Sequence, residues 1–191
     1  MEKACTVQAF SASAGGDAVG IRAMPAESRV VLKPIGRRAA EALAAGRAPD
    51  VAVAPGYPTE FSKGVGQHAG AGTGLGPFFI HRVEDDVVVG ELGAAFTEPD
   101  TIEIGYAIVE SVWGRGHATD AVRELVALAR RDPAIARVVA HTPLDRPASG
   151  RVVEKAGFVS VGEVVDEHEG EAIRVIRWEL RLSDAHAGSG V

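Results

Sequence analysis

Ile102-Glu103-Ile104-Gly105-Tyr106-Ala107-Ile108-Val109 runs through Glu110-Ser111-Val112 into Trp113-Gly114-Arg115-Gly116-His117-Ala118-Thr119, and then into a stretch that ends at Ala129. The first eight residues alternate. Ile102, Ile104, Tyr106 and Ile108 fall on one side, and Glu103, Gly105 and Ala107 on the other. A period of two predicts a strand. From Thr119 the period changes: Val122, Leu125, Val126 and Ala129 recur at the spacing of one helix face. Asp132-Pro133 closes the helix, because proline disfavours the α conformation in the residue before it. Between strand and helix, Gly114 and Gly116 permit a tight turn and close approach of a bulky group. A turn of this kind gathers backbone N–H groups at the positive end of a helix dipole. That is an anion site, most often for phosphate.

Trp113-Gly114-Arg115-Gly116-His117-Ala118 resembles the acyl-CoA pyrophosphate loop of the GNAT superfamily of N-acetyltransferases, usually written [Gln/Arg]-x-x-Gly-x-[Gly/Ala]. Gly116 and Ala118 fill its last two defined places, and Trp113 stands where Gln or Arg is commonest. Trp-Gly-x-Gly-x-Ala-Thr is similar to the RimJ/RimL-like branch, whose members acetylate protein N-termini or small amines. Ala148-Ser149-Gly150-Arg151-Val152-Val153-Glu154-Lys155-Ala156-Gly157-Phe158 is similar to the closing helix of that branch. The resemblance covers roughly residues 29–182, one domain of ordinary size. It leaves residues 1–28 as an N-terminal tail and 183–191 as a C-terminal one.

Outward from the central stretch, the sequence reads as strand, helix, three strands, helix, strand, helix and hairpin. Arg29 to Pro34 predicts a first strand, and Ile35 to Gly46 a helix stopped by Gly46. Residues 50–58 hold Pro55, Gly56 and Pro58 and read as irregular. Lys63 to Pro77 is dense in glycine and reads as a surface loop, with a lid over the acceptor site as the alternative. It follows no strand of the βαβ kind, so it is not a dinucleotide loop. His68 and Tyr57 flank it and receive no role. Residues 77–82 and 87–93 predict two strands turning at Glu84-Asp85-Asp86, and Glu98-Pro99-Asp100 turns into the Ile102 strand. Arg137 to His141 predicts a short strand. Ser149 is positioned to cap a helix from Gly150 to Ala156, which Gly157 ends. Phe158 to Val165 and Ala172 to Leu182 predict a hairpin turning over residues 166–170.

The resemblance implies a mixed α/β sheet, the GNAT acyl-CoA fold, whose central strands splay apart. It implies acetyl-CoA as cosubstrate. The pantetheine arm would enter the splay beside Tyr106, Ala107 and Ile108, and the diphosphate would sit on Gly114, Arg115, Gly116, His117, Ala118 and Thr119. The branch usually carries Asn three residues before its closing-helix serine. Arg146 stands there instead, available to a CoA phosphate.

Direct acyl transfer needs an uncharged amine, a group to take its proton, and a donor for the departing thiolate. Glu103 on the central strand is the first candidate for the base. His141 at the end of the neighbouring strand is the alternative relay, and Glu91 ranks below both. Ser149 matches the serine that the branch places near the CoA sulfur. The acceptor is a primary amine, on a small molecule or a protein N-terminus. The rival is a non-catalytic acyl-CoA-binding or regulatory module of the same fold.

Composition narrows the partners. The chain has 191 residues, 46% hydrophobic and 24% charged, with a net charge of −6. That balance suits a soluble globular domain, argues against nucleic acid, and is compatible with a cationic acceptor. No apolar run is long enough to span a membrane, and no secretory signal opens the chain. The single cysteine, Cys5, fits a reducing cytoplasm. The histidines show no metal-ligand spacing, so no metal is expected. A monomer or a homodimer is expected.

Overall fold

The computed structural model describes residues 28–68, 74–168 and 171–182. The predicted tails (apart from Ser28), Cys5, residues 69–73 of the glycine-rich stretch and the tip of the hairpin lie outside the described residues. The elements are β1 (Val30–Pro34), α1 (Arg37–Ala44), α2 (Glu60–His68), β2 (Phe78–Arg82), β3 (Val88–Glu98) and β4 (Thr101–Ile108). A single 3-10 turn (Glu110–Val112) follows. Then come α3 (His117–Ala129), β5 (Arg137–Pro143), α4 (Pro147–Lys155), β6 (Val159–His168) and β7 (Glu171–Arg181). The strands form one seven-stranded mixed sheet in the order β1-β2-β3-β4-β5-β7-β6. Every neighbouring pair is antiparallel except β4 and β5. Among the described residues, no helix is long and apolar enough to cross a membrane.

Helices cover both faces of the sheet centre, so β4 is buried along nearly its whole length. Its alternation sorts residues between two environments. Ile102, Ile104 and Tyr106 join the main core with Ala121, Val122, Leu125, Val126 and Ala129 of α3. Ala107 faces the other way, into a small separate cluster with Phe61 and Val65 of α2. Glu103 and Gly105 share that second side.

Three sequence expectations are corrected. The glycine-rich stretch predicted as a loop from Lys63 is helical as far as His68. The reason is packing. A Cβ at Gly66 would lie 2.4 Å from the Ala44 nitrogen and 2.6 Å from the Ala40 oxygen of α1. Glycine lets two helix backbones touch there, at the cost of intrinsic propensity. Second, α4 begins at Pro147 with Arg146 at its N-cap, so Ser149 lies inside the first turn and does not cap the helix. Proline suits the first helical position, where its missing N–H is no loss. Third, β6 continues to His168, so Asp166 belongs to the strand and not to the predicted turn.

Gly66→Ala is expected to destabilise the chain by about 1–3 kcal/mol through overpacking. Gly64→Ala, where a Cβ meets nothing within 4 Å, is expected to be neutral or stabilising by up to ~1 kcal/mol. Thermal or urea denaturation of the two variants checks the contrast.

Candidate active site

β4 and β5 pair over only three positions, Thr101–Arg137, Ile102–Val138 and Glu103–Val139. β4 then runs on to Ile108 and β5 to Pro143, the latter held by β7 along its whole length. Beyond Glu103 the two parallel strands no longer pair. The sheet opens into a wedge, as the resemblance implies. Strand backbone facing such a gap needs hydrogen-bond partners from something that enters it.

The corner of the wedge is polar. His141 lies two residues past Val139 and so shares a face with Glu103. Its Nδ1 is 3.1 Å from Glu103 Oε1 and 3.4 Å from Asp166 Oδ2. The Glu103 hydrogen bond, reinforced by the charges of Glu103 and Asp166, raises the His141 pKa against the opposing effect of burial. With two carboxylates facing Nδ1, the proton resides on that nitrogen, and Nε2 is the buried atom at the far side of the ring. On the adjoining strand, Arg177 and Glu179 bond each other at 3.0 Å. Glu103, His141 and Asp166 offer ligand atoms that all lie within 4.8 Å of one another, the one such group among the described residues. Each residue comes from a different strand, so no sequence spacing announces the group.

On the opposite face, Tyr106 reaches across to α4. Its hydroxyl donates to the Ser149 carbonyl at 3.0 Å and lies 2.9 Å from Ser149 Oγ. Trp178 Nε1 donates to Thr142 Oγ1 at 2.8 Å and packs against Gly150. The structure therefore brings Tyr106 and Ser149 together, and Glu103 and His141 together, one pair on each side of the same strand.

Gly114 and Gly116 adopt φ of 74° and 86°, a conformation that favours glycine. Gly116 is the N-cap of α3, and no side chain among the described residues caps the helix. Its first amides, at His117, Ala118 and Thr119, thus lie at an end whose partial charge attracts anions. The His117 ring is buried, and burial lowers its pKa. Trp113 Nε1 donates to the Ile108 carbonyl at 2.7 Å, which ties the turn to the end of β4. Arg29 braces the other side: its backbone N and Nη1 donate to Asp120 Oδ2 at 3.2 and 2.9 Å. Arg115 is exposed and Arg146 half-buried at the start of α4. This arrangement of a glycine turn and a wedge fits a molecule carrying a diphosphate and a long amide-bearing arm.

A second buried polar group surrounds Glu91, the lowest-ranked base candidate of the sequence, with partners that the sequence did not point to. Glu91 on β3 is fully buried. Ser62 Oγ donates to its Oε1, and Thr59 Oγ1 lies 3.4 Å from Oε2. Tyr57, which received no role from the sequence, lies beside the same carboxyl. Burial, and then the charge of Glu91, push its hydroxyl pKa up. Burial pushes Glu91 itself up to about 7. Its signal in the sequence was a lone acid within an apolar strand.

The profile of the Acetyltransferase (GNAT) domain matches residues 29–159, and the chain belongs to that family. Among solved structures it is similar to an acetyltransferase (GNAT family) from Bacillus anthracis, with 16% identity and a TM-score of 0.61 over 81% of this chain and 95% of that one. It is also similar to a probable acetyltransferase, at 23% identity and TM-score 0.50, over 56% of this chain and 60% of that one. A further neighbour is the aminoglycoside acetyltransferase AAC(6')-Ib in complex with coenzyme A and kanamycin, at 20% identity and TM-score 0.48, over 55% of this chain and 65% of that one. No curated protein sequence matches the chain.

The Glu91 carboxyl yields a prediction with a definite sign. Its folded value of about 7 exceeds the ordinary 4.5, so between those values the folded chain holds more proton than the unfolded one. Its contribution is intact at acid pH and falls by ~3 kcal/mol as pH rises through that window. Urea denaturation from about pH 5 to about pH 8 is expected to show this decline, and Glu91→Gln is expected to remove most of it.

Proposed function

We propose that this chain is an acetyl-CoA-dependent N-acetyltransferase that moves the acetyl group directly to a primary amine in a ternary complex. The observation that carries the reading is the hydrogen-bonded Glu103–His141 pair at the corner where β4 and β5 separate. A thioester whose arm lies in the wedge brings its carbonyl to that corner. The catalytic unit of this proposal is residues 29–182.

The steps follow from the groups present. The diphosphate of acetyl-CoA rests on the amides of residues 114–119, and the pantetheine amides bond β4 backbone near Tyr106, Ala107 and Ile108. Arg115 and Arg146 are available to its phosphates. The amine lone pair attacks the thioester carbonyl carbon. His141 Nε2 takes the proton that the amine nitrogen loses, and Glu103 holds Nδ1–H so that the ring presents the correct nitrogen. The C–S bond then breaks. Tyr106, in contact with Ser149, delivers a proton to the departing thiolate from the other side of the strand. Base and acid act on opposite faces of the sheet, and the wedge between the strands is where they meet. No covalent enzyme intermediate forms.

Two carboxylates around one imidazole leave the corner with an excess of negative charge, which favours a cationic amine arriving from solvent. That supports a small-molecule amine or a protein N-terminus. The Trp113-to-Thr119 motif favours the RimJ/RimL-like branch, and the single cysteine favours a cytoplasmic location.

His141→Ala is expected to lower kcat by about 10²–10⁴ with the preferred amine, and Glu103→Gln by less, because it only orients the ring. Neither is expected to alter affinity for coenzyme A. Tyr106→Phe and Ser149→Ala are expected to reduce kcat more than coenzyme A affinity. Turnover of N-terminal peptides, polyamines, aminoglycosides and amino acids, with calorimetry for coenzyme A, checks all four variants. Coenzyme A binding without turnover of any amine would favour a non-catalytic module. Gly116→Val forces a branched side chain into a positive φ and against Arg29, 3.1 Å from its Cβ. It is expected to weaken coenzyme A binding by about tenfold or more, ~1.4 kcal/mol.

A further inference from the structure

Helix α2 roofs the part of β4 that borders the wedge, and its apolar hold is slight. Phe61, Val65 and Ala107, with Ile35 alongside, form a cluster separate from the main core. The helix also packs closely along α1, where Gly66 lets the two backbones meet, and one buried carboxyl group ties it to β3. Ser62 joins the two parts. Its Oγ accepts from the Thr59 backbone N at 2.8 Å, which closes the first turn of α2, and the same Oγ donates to Glu91 Oε1. Thr59 Oγ1 reaches Oε2 of the same group. Glu91 in turn stands opposite Ala107 in the β3–β4 register. One carboxyl thus fastens the first turn of α2 to the strand pair on which the helix rests.

We propose that Glu91 is a positioning residue for the acyl-CoA site: it latches α2 over Ala107, and release of the latch weakens binding of the thioester arm. The inference rests on the acetyl-CoA reading above. The latch responds to pH, because burial penalises the ionised carboxylate by more than the hydroxyls donating to it from Ser62 and Thr59 favour it, so ionisation pulls the group toward water. Among the described residues, Tyr57 is the titratable group beside Glu91. Glu60 and Lys63 on α2 are exposed, and Phe79 and Ala107 face it from β2 and β4. Glutamine reproduces the acid form, with one acceptor oxygen and an N–H donor.

The test uses the full chain as wild type, Glu91→Gln and Glu91→Ala, at about pH 5.5 and about pH 8.5, on either side of the transition. Coenzyme A affinity is measured by calorimetry, KM for acetyl-CoA by turnover, and opening of residues 61–67 by amide hydrogen exchange corrected for intrinsic rates. Wild type is expected to lose roughly tenfold in affinity, with a matching rise in KM, and to lose α2 protection at the higher pH. Glu91→Gln is expected to stay tight and protected at both values, and Glu91→Ala weak at both. If Glu91→Ala does not fold, Ser62→Ala replaces it, with the same expectation of weak binding. A Glu91→Gln chain that follows the wild-type pH dependence, or α2 protection indifferent to pH, would overturn the proposal. Calorimetry and exchange require no turnover, so absence of acetyl transfer would count against the enzymatic reading and leave the latch separately decided.

Discussion

The structure turns on a short parallel pairing. β4 and β5 share three register positions and then part, while β5 stays paired with β7 and β4 with β3. Each strand keeps one full antiparallel partner, so neither is lost when the other is released. The gap between them is therefore a property of the topology. Polar backbone along its edges demands partners, and this demand makes the wedge a place for an amide-bearing ligand. The glycine turn that leads from β4 into α3 sits at the open end, where a charged head group joined to such an arm would come to rest.

The strand's alternation turns one element into two chemical surfaces. Tyr106 points into the side shared with α3 and α4 and finds Ser149. Glu103 points to the side shared with α2 and finds His141. Gly105 and Ala107 keep that second surface low. In the proposed reaction, a proton acceptor and a proton donor would thus flank a single bond without neutralising each other, since the sheet lies between them everywhere but in the gap. Coulombic attraction orients the imidazole: it is drawn toward Glu103 of the adjacent β4 and Asp166 of β6, which lies beyond β7.

Glycine plays two roles that composition does not separate. Gly114 and Gly116 are needed for their backbone angles. Gly66 has an ordinary helical backbone and is needed for what it lacks, because any side chain would strike the backbone of α1. Gly64 lies two residues away in the same helix, with open space around its Cβ position. A glycine-rich run reads as loose in sequence, yet part of this one forms the tightest helix contact on that face. The buried Glu91 carries a similar lesson. A lone acid in an apolar strand looks like an error of patterning until the three hydroxyl-bearing residues that surround it are brought in from α2 and the loop before it.

Local physical chemistry was enough to determine the strand, turn and helix from Ile102 to Ala129 and the order of most other elements, while the family resemblance singled out Glu103, with His141 as its alternative. Periodicity and glycine placement act over a few residues and are visible in the chain. Tertiary structure alone decided what depends on convergence. Asp166 reached His141 because β6 ran on past the expected turn. Ser149 turned toward Tyr106 because Pro147 began the helix two residues before it. Thr59, Ser62 and Tyr57 met Glu91 because α2 formed where a loop had been expected. Those contacts join residues that lie between 29 and 43 positions apart, apart from the closer His141–Asp166 contact. Their attraction becomes effective only after the sheet has fixed the distance between them.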